Sequence, residues 1–467
     1  MRLARDTAMR IPVAEPDLPG EPEQALVTRV VDALYREDHL GLASRARPAG
    51  PPGVPPADVP LVGAVRAMWW ASPLDGNRRV LAPMRSDGFL ADRRLAAPFL
   101  VLEEKGRPPT LAARLDDVLA ALAPAGDPER VAGWLAFADE CRQALAVARL
   151  PIPALALPAD GTGYQGLARY EAIAASREHP VHPLGRCRIG VPASELRGYA
   201  PEFSPRFRLR WCAVPAGALT RAGALPAWWP GPSALGLPAR LDGDHVALPV
   251  HPVTAARGLV AVGARPSVVV TPTLSTRTVA VVADPAVALK LPLPTATLGA
   301  RNRRTIAPGT LADGATMHRL LGAVLDREPA LRPRVLLADE STWIETGDEN
   351  LAVLVRRLPP GLEGCTLVPV AALAARTPGP GRPGDTVLAD LGSRYSGGLT
   401  ALLVDYLDTL FDWHVGLWLR YGVALEAHGQ NVTLVLDPPA SGLPAAGDPP
   451  AGAPVALQGQ RRWEDRP

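Results

Sequence analysis

Proline and glycine occupy 53 and 43 of the 467 positions, so this chain cannot be assembled from a few long, uninterrupted helices and strands. Proline removes a backbone donor and clashes with the preceding helical turn, while glycine favours turns, so short elements joined by many loops are expected. The apolar content of 47% and charged content of 21% nevertheless belong to a globular protein. A chain of 467 residues exceeds what one hydrophobic core holds, which predicts two or three domains of the α+β class.

The other composition signals mostly exclude. A net charge of +2, with no basic block and no basic stripe interleaved with aromatics, gives no support for a nucleic-acid partner. No apolar run reaches membrane-spanning length, and Met1–Asp6 lacks the apolar core of a secretory leader, so cytoplasmic residence without a membrane partner is expected. Cys141, Cys187, Cys212 and Cys365 are scattered without a Cys-x-x-Cys pair and read as ordinary thiols. Lys105 and Lys290 are the only lysines among 49 basic side chains, and asparagine occurs only at 77, 302, 350 and 431, the pattern a GC-rich genome produces. A lysine or asparagine that persists against such a bias gains weight as a chemically required residue.

Periodicity divides the chain into regions. Residues 1–160 read as an N-terminal subdomain, with an amphipathic helix over 24–39 (Leu26, Val30, Leu34, Tyr35), strand-like pieces over 61–102 and helices over 111–122 and 131–149. Residues 161–377 read as a mixed-sheet core, with a helix over 166–176 and strands at 209–214, 246–250, 267–270, 279–282 and 286–291. After a linker at 378–384, residues 385–437 hold a helix marked by Leu399, Leu402, Tyr406, Leu410 and Trp413, a terminator at Gly422 and a buried strand at 432–436. The Pro/Ala/Gly-rich tail, 438–467, reads as disordered.

Several polar groupings stand out against this frame. Glu426-Ala-His428-Gly-Gln430-Asn431 packs a carboxylate, an imidazole and two amides between a helix and a strand, where ligands often bind and where the same residues also cap helices or stabilise turns. His179-Pro-Val-His182-Pro, followed by Arg186 and Arg188, sets two imidazoles and two cations on a proline-restricted turn, suited to an anion, to zinc if a third ligand arrives, or to structure alone. Ser275-Thr-Arg277-Thr278 offers hydroxyls and a fork-shaped cation for phosphate oxygens, and Lys290 ends the next apolar strand, ahead of Arg301, Arg303 and Arg304. Arg356-Arg357 closes another apolar run and reads equally as part of this charge cluster or as solvated surface. The Walker phosphate loop, the dinucleotide fingerprint and the Gly-x-Ser-x-Gly elbow are all absent from the sequence.

In order along the chain, these groupings resemble the siderophore synthetases that work without a peptide-synthetase assembly line, the IucA/IucC or aerobactin-synthetase-like family. The pieces carrying the resemblance are the His179 turn, Tyr199-Ala-Pro-Glu-Phe203, Pro249-Val-His-Pro252, Ser275-Thr-Arg-Thr278, Leu289-Lys-Leu-Pro-Leu293 with Arg304-Thr-Ile306, and Glu426 to Asn431. The resemblance implies a palm-like mixed sheet between a helical N-terminal region and a helical, FhuF-like thumb that is truncated here. It also implies an ATP-dependent ligase that adenylates a carboxylate such as citrate and passes it to an amine, hydroxylamine or alcohol, releasing pyrophosphate and AMP.

Carried over by residue, the resemblance assigns Ser275, Arg277, Thr278, Lys290, His179 and His182 to ATP. Arg304, or Arg303 in its place, and His428 go to the substrate carboxylate or α-phosphate, with Lys290, Arg304 and His428 catalytic. Glu426 and Asn431 go to Mg²⁺. The pattern departs at Arg186, where the family usually has Lys, and at Val253-Thr254 in place of Trp-Gln. The family's downstream Arg-Asp element is also missing: Asp465 follows Glu464, not Arg. This leaves a second expectation of a different class, a non-catalytic relative that binds nucleotide or carboxylate, or that works with an active homologue. A homodimer and a separately encoded C-terminal partner are the protein partners implied.

Overall fold

The computed structural model describes residues 19–53, 67–88, 90–155, 161–177, 179–263, 265–376, 386–437 and 455–458. The start at Met1–Asp6, the boundary proline Pro158, the 378–384 linker and most of the 438–467 tail lie outside the described residues. The chain divides into two compact units. The first comprises Met1–Leu150, His179–Cys187 and Leu298–Ala300, and the second comprises Pro151–Glu178, Arg188–Thr297 and Arg301–Pro467.

In the first unit, helix Glu21–Arg36 starts with a proline in its first turn and Glu21 and Glu23 at the positive end of the helix dipole. Its Leu26, Val27, Val30 and Val31 are completely buried. A six-stranded antiparallel sheet is built around Arg78–Ser86, flanked by Met68–Pro73 and Leu100–Glu104. The helix expected over 111–122 begins instead as strand Thr110–Ala112, paired with Leu100–Leu102, and only Leu115–Ala121 is helical. Pairing with a preformed edge overrides local helix propensity there. Glu23, buried, accepts from the Leu115 N–H at 3.0 Å and from Arg149 at 2.7 Å, joining three helices through one carboxylate.

The second unit contains an eight-stranded sheet in the order His245–Val250, Phe207–Pro215, Ser267–Pro272, Thr278–Val281, Asp284–Lys290, Ala352–Arg357, Asp339–Glu345 and Thr220–Ala222. All of its pairings are antiparallel, so alternate side chains go to opposite faces. One face is a continuous core in which Leu209, Trp211, Leu248, Val279, Val287, Leu289, Val353 and Val355 pack together. The opposite face carries Thr278, Ala280, Ala288, Lys290 and Arg356, and this division of labour positions the site.

Helix Gly163–Ala175 buries Tyr170, Ile173 and Ala174 in a second cluster with Val368, Leu373, Leu402 and Leu434. The long helix Gly398–Tyr421 ends where sequence periodicity placed its stop: Gly422 is left-handed, with φ at 65°, and donates to the Trp418 carbonyl at 3.1 Å. Strand Val432–Leu436 follows, buried along its length and paired with Thr366–Pro369. Within the tail expected to be disordered, Val455–Gln458 forms a strand between Val335–Leu337 and Val432–Leu436. Its Val-Ala-Leu sequence suits a strand, a local signal outweighed in the sequence by the surrounding Pro and Gly. Among the described residues no helix is long and apolar enough to cross a membrane, and all four cysteines are buried and outside any disulfide.

Candidate functional site

The open face of the sheet supplies the floor. Thr278 pairs directly with Lys290, and Ala280 pairs with Ala288, which pairs in turn with Arg356. Partners opposite each other share a face, and two residues along a strand span roughly 7 Å. Lys290 therefore stands one step beyond a strip of small side chains. The lysine that codon bias would have removed is thus placed half-buried on the opposite face, across from Leu354, while its neighbour Leu289 is buried in the core.

Ser275 to Thr278 form a tight turn into the same strand. Thr276 N–H donates to the Thr273 carbonyl at 2.8 Å, Ser275 N–H to Thr273 Oγ1 at 3.3 Å, and Thr278 Oγ1 to Ser275 Oγ at 3.3 Å. Thr276 adopts φ of 65°, a strained conformation for a β-branched residue. It is held from outside the turn: Arg188 Nε donates to Thr276 Oγ1 at 2.9 Å while its two terminal nitrogens bind Glu202 at 2.7 and 2.9 Å. Arg188 and Glu202 are both buried, so this bidentate pair fixes the turn from beneath. Spacing alone did not mark the pair.

Arg277 donates to the Thr305 carbonyl at 2.8 Å and so joins the hydroxyl turn to the segment carrying Arg304. Arg304 pairs across strands with Leu293, three residues after Lys290, and its buried guanidinium donates to Thr297 Oγ1, from Nε at 2.6 Å. Arg303 is two-thirds exposed and paired with Glu349 at 2.9 Å. Of the two arginines, Arg304 is the one set inside the fold. Arg356 and Arg357 also divide: Arg356 lies on the open face and binds buried Glu340 at 2.5 Å, whereas Arg357 donates to Thr342 at 2.8 Å.

The Glu426 to Asn431 turn is built around its last residue. Asn431 is buried; its N–H donates to the His428 carbonyl at 2.8 Å and its amide nitrogen to the Glu426 carbonyl at 3.0 Å. His428 Nδ1 accepts from the Gln430 N–H at 3.2 Å, and its Nε2 lies 3.6 Å from the Glu426 carboxylate, with both side chains well exposed. Gly429 sits against the backbone of Val370–Ala372, where a Cβ would come 2.9 Å from the Ala371 nitrogen. Gly429→Ala is therefore expected to push the turn off its seat and destabilise the protein by about 1–3 kcal/mol, as overpacking does, read as a lower midpoint in urea unfolding.

The histidine motifs have different surroundings. His179 and His182 lie in the first unit, and each uses Nδ1 to accept backbone N–H bonds of its own turn, at 2.9 Å from His182 and 3.1 Å from Leu184. Burial, with His179 and Arg36 nearby, pushes His182 down to about 4. His251 is completely buried, accepts from the Val253 N–H at 3.2 Å as a helix cap, and is held near 3 by desolvation. Because this folded value lies below the ordinary imidazole value of 6.5, its contribution is complete above pH 6.5 and is lost as pH falls toward 3. Urea titrations should show stability declining across that window, and His251→Asn, which keeps a capping acceptor, should flatten the decline.

Beside the sheet face lies a small cavity of about 60 Å³ that opens to solvent. Tyr164, Leu167, Ala168 and Glu171 line it from one face of helix Gly163–Ala175, at the 3–4–7 spacing of a helical stripe. Thr278, Ala280, Ala288 and Arg356 line it from the sheet, and Gln430 and Asn431 from the C-terminal turn. The structure thus brings together Thr278, Asn431 and the strand that ends in Lys290. Glu426 and His428 do not line this cavity. Glu171 does, and its carboxyl is pushed up to about 8 by burial, opposed by the charge of Arg356.

Residues 167–375, which include Glu171, the hydroxyl turn, Lys290 and Arg304, match the model of the IucA / IucC family. An uncharacterized protein, y4xN of Sinorhizobium fredii, is 28% identical over 300 residues, 56% of this chain and 47% of the relative, so the chain spans about half the length of the curated protein it matches. The fold is that of petrobactin biosynthesis protein AsbB from Bacillus anthracis, with TM-score 0.66 at 17% identity over 94% of this chain and 73% of that one. Aerobactin synthetase IucC from Klebsiella pneumoniae gives 0.63 at 20% identity over 94% and 76% of the two chains. ATP-bound aerobactin synthetase IucA from the same species gives 0.58 at 16% identity over 94% and 78%.

Proposed function

We propose that this protein is an ATP-dependent siderophore synthetase that activates a citrate-like carboxylate as its adenylate and joins it to an amine, hydroxylamine or alcohol. The observation that carries this reading is the cross-strand pair of Thr278 and Lys290 on the face of the sheet opposite its core, with Thr278 lining the cavity. A carboxylate and a polyphosphate repel each other, and bringing them together needs fixed positive charge at the point of approach. Lys290 supplies a compact charge at the end of its strand, Arg304 stands across from Leu293 just beyond it, and the Ser275–Thr278 hydroxyls lie at the turn. The ATP-bound state of the neighbour IucA also supports nucleotide use.

In the first half-reaction a substrate carboxylate oxygen attacks the α-phosphorus, the new P–O bond forms, and the bond to pyrophosphate breaks with its electron pair. In the second, the nucleophile attacks the acyl carbon, loses a proton, and AMP departs with the electrons of the C–O bond. Mg²⁺, when bound, offsets phosphate charge through oxygen ligands. The side-chain oxygen of Asn431 fits such a ligand set because its amide nitrogen is already committed.

Carboxylate-dependent ATP–pyrophosphate exchange tests the reading. Exchange above the no-acid background is expected with citrate, 2-oxoglutarate or succinate, from the chain alone or with a separately encoded C-terminal partner. Nucleotide binding without exchange under any of these conditions would replace the ligase with the non-catalytic relative.

A further inference from the structure

The long helix Gly398–Tyr421 is apolar on two sides. Leu402, Trp413 and Leu417 face inward and are almost fully buried. On the outer side Val404, Leu407, Phe411, Val415 and Trp418 are 40–61% exposed, at the spacing of one helical stripe. A helix that is apolar all round belongs in an interior, with a neighbour on each side. Near the end of the stripe His414, Val415, Trp418, Ala424 and Leu425 line an open groove of about 250 Å³. We propose that this outer face is an interaction surface, and that its occupant is the same face of a second copy of this chain, lying antiparallel about a twofold axis at Phe411.

The order of the side chains selects this occupant. Leu407 and Val415 lie four residues to either side of Phe411, and Val404 and Trp418 lie seven to either side. A twofold axis at Phe411 therefore sets every apolar position of the stripe against another: Val404 against Trp418, Leu407 against Val415, and Phe411 against its own copy. The groove beside Val415 and Trp418 then receives Val404 and Leu407 of the other copy. In the same register exposed Asp408, three residues before the axis, meets His414, three residues after it. An unrelated helix requires no such mirror order. With Leu419, 74% exposed, the stripe presents roughly 600 Å² of apolar surface, most of the ~800 Å² that each partner brings to a stable interface. Asp408 and Asp412, both exposed beside the stripe, oppose an anionic lipid surface as the occupant.

Sedimentation velocity on the full chain tests the surface. At micromolar concentration the wild type should sediment with twice the 49.2 kDa mass of the chain. Phe411→Glu, which sets two like charges together on the axis, should weaken self-association about thirtyfold or more. Because Phe411 is 57% exposed, its far-UV circular dichroism should match that of wild type. Phe411→Cys, in a chain whose own cysteines are all buried, should be joined to its copy by a short bismaleimide, whereas Leu135→Cys, exposed on helix Pro128–Ala148, should not. A wild-type monomer, or a dimer that persists in Phe411→Glu, would overturn the proposal. The cross-link keeps the test decisive if Phe411→Glu does not fold: a dimer joined through position 135 and not through 411 overturns it, as does association only with a different polypeptide. Pyrophosphate exchange enters none of these readouts, so the ligase reading stands or falls separately.

Discussion

Lys290→Ala should reduce carboxylate-dependent ATP–pyrophosphate exchange to background, a loss of about 10²-fold or more if the ammonium meets the charge that develops during adenylation. The fold should tolerate the change. Lys290 lies at the end of its strand with its side chain on the face away from the main core, while Leu289 and Val287 supply that strand's core contacts. An unchanged urea midpoint combined with lost exchange is therefore the expected pair of results. Lys290→Arg should recover only part of the activity, because a planar fork does not reproduce a compact point charge. Full exchange in Lys290→Ala would show that phosphate charge is met elsewhere.

The largest effect on stability should come from a pair outside the cavity lining. Removing Arg188 leaves Glu202 buried without its bidentate partner, and breaking such a pair costs about 3–5 kcal/mol. Arg188→Ala should also release Thr276 from its left-handed conformation and disorder the hydroxyl turn. A double variant, Arg188→Met with Glu202→Leu, separates the two effects. It should regain most of the stability, since no charge is left stranded, while exchange stays low because nothing holds Thr276. Recovery of both would mean that the turn does not depend on Arg188.

Much of the second unit was legible because its strands are short β-branched runs between turn residues, as at Ser267–Pro272 and Thr278–Val281. The stop at Gly422 and the strand at Val432 were equally plain. What sequence could not supply was partnership across distance. Arg188 and Glu202 are fourteen residues apart, and nothing in either segment announces a buried ion pair. The neighbouring cations Arg303 and Arg304 differ only in where the fold puts them, one at the surface with Glu349 and one buried beside Thr297. Glu171 was passed over because a glutamate on an amphipathic helix ordinarily faces water; the fold sets it in the cavity lining with Asn431. The six-residue cluster at 426–431 was read as one unit, yet only Gln430 and Asn431 enter the lining.

The alanine pair at 280 and 288 has an implication for how this scaffold changes. The sheet draws its cohesion from the far side, where Val279, Val281, Val287 and Leu289 pack, and the near side at these two positions carries only methyl groups. Substitutions at 280 and 288 reshape the cavity floor with little cost to the core. A lineage can thus alter which ligand fits by exchanging two small residues for larger ones, with each intermediate still folded. Selection on ligand and selection on stability fall on opposite sides of the same strands.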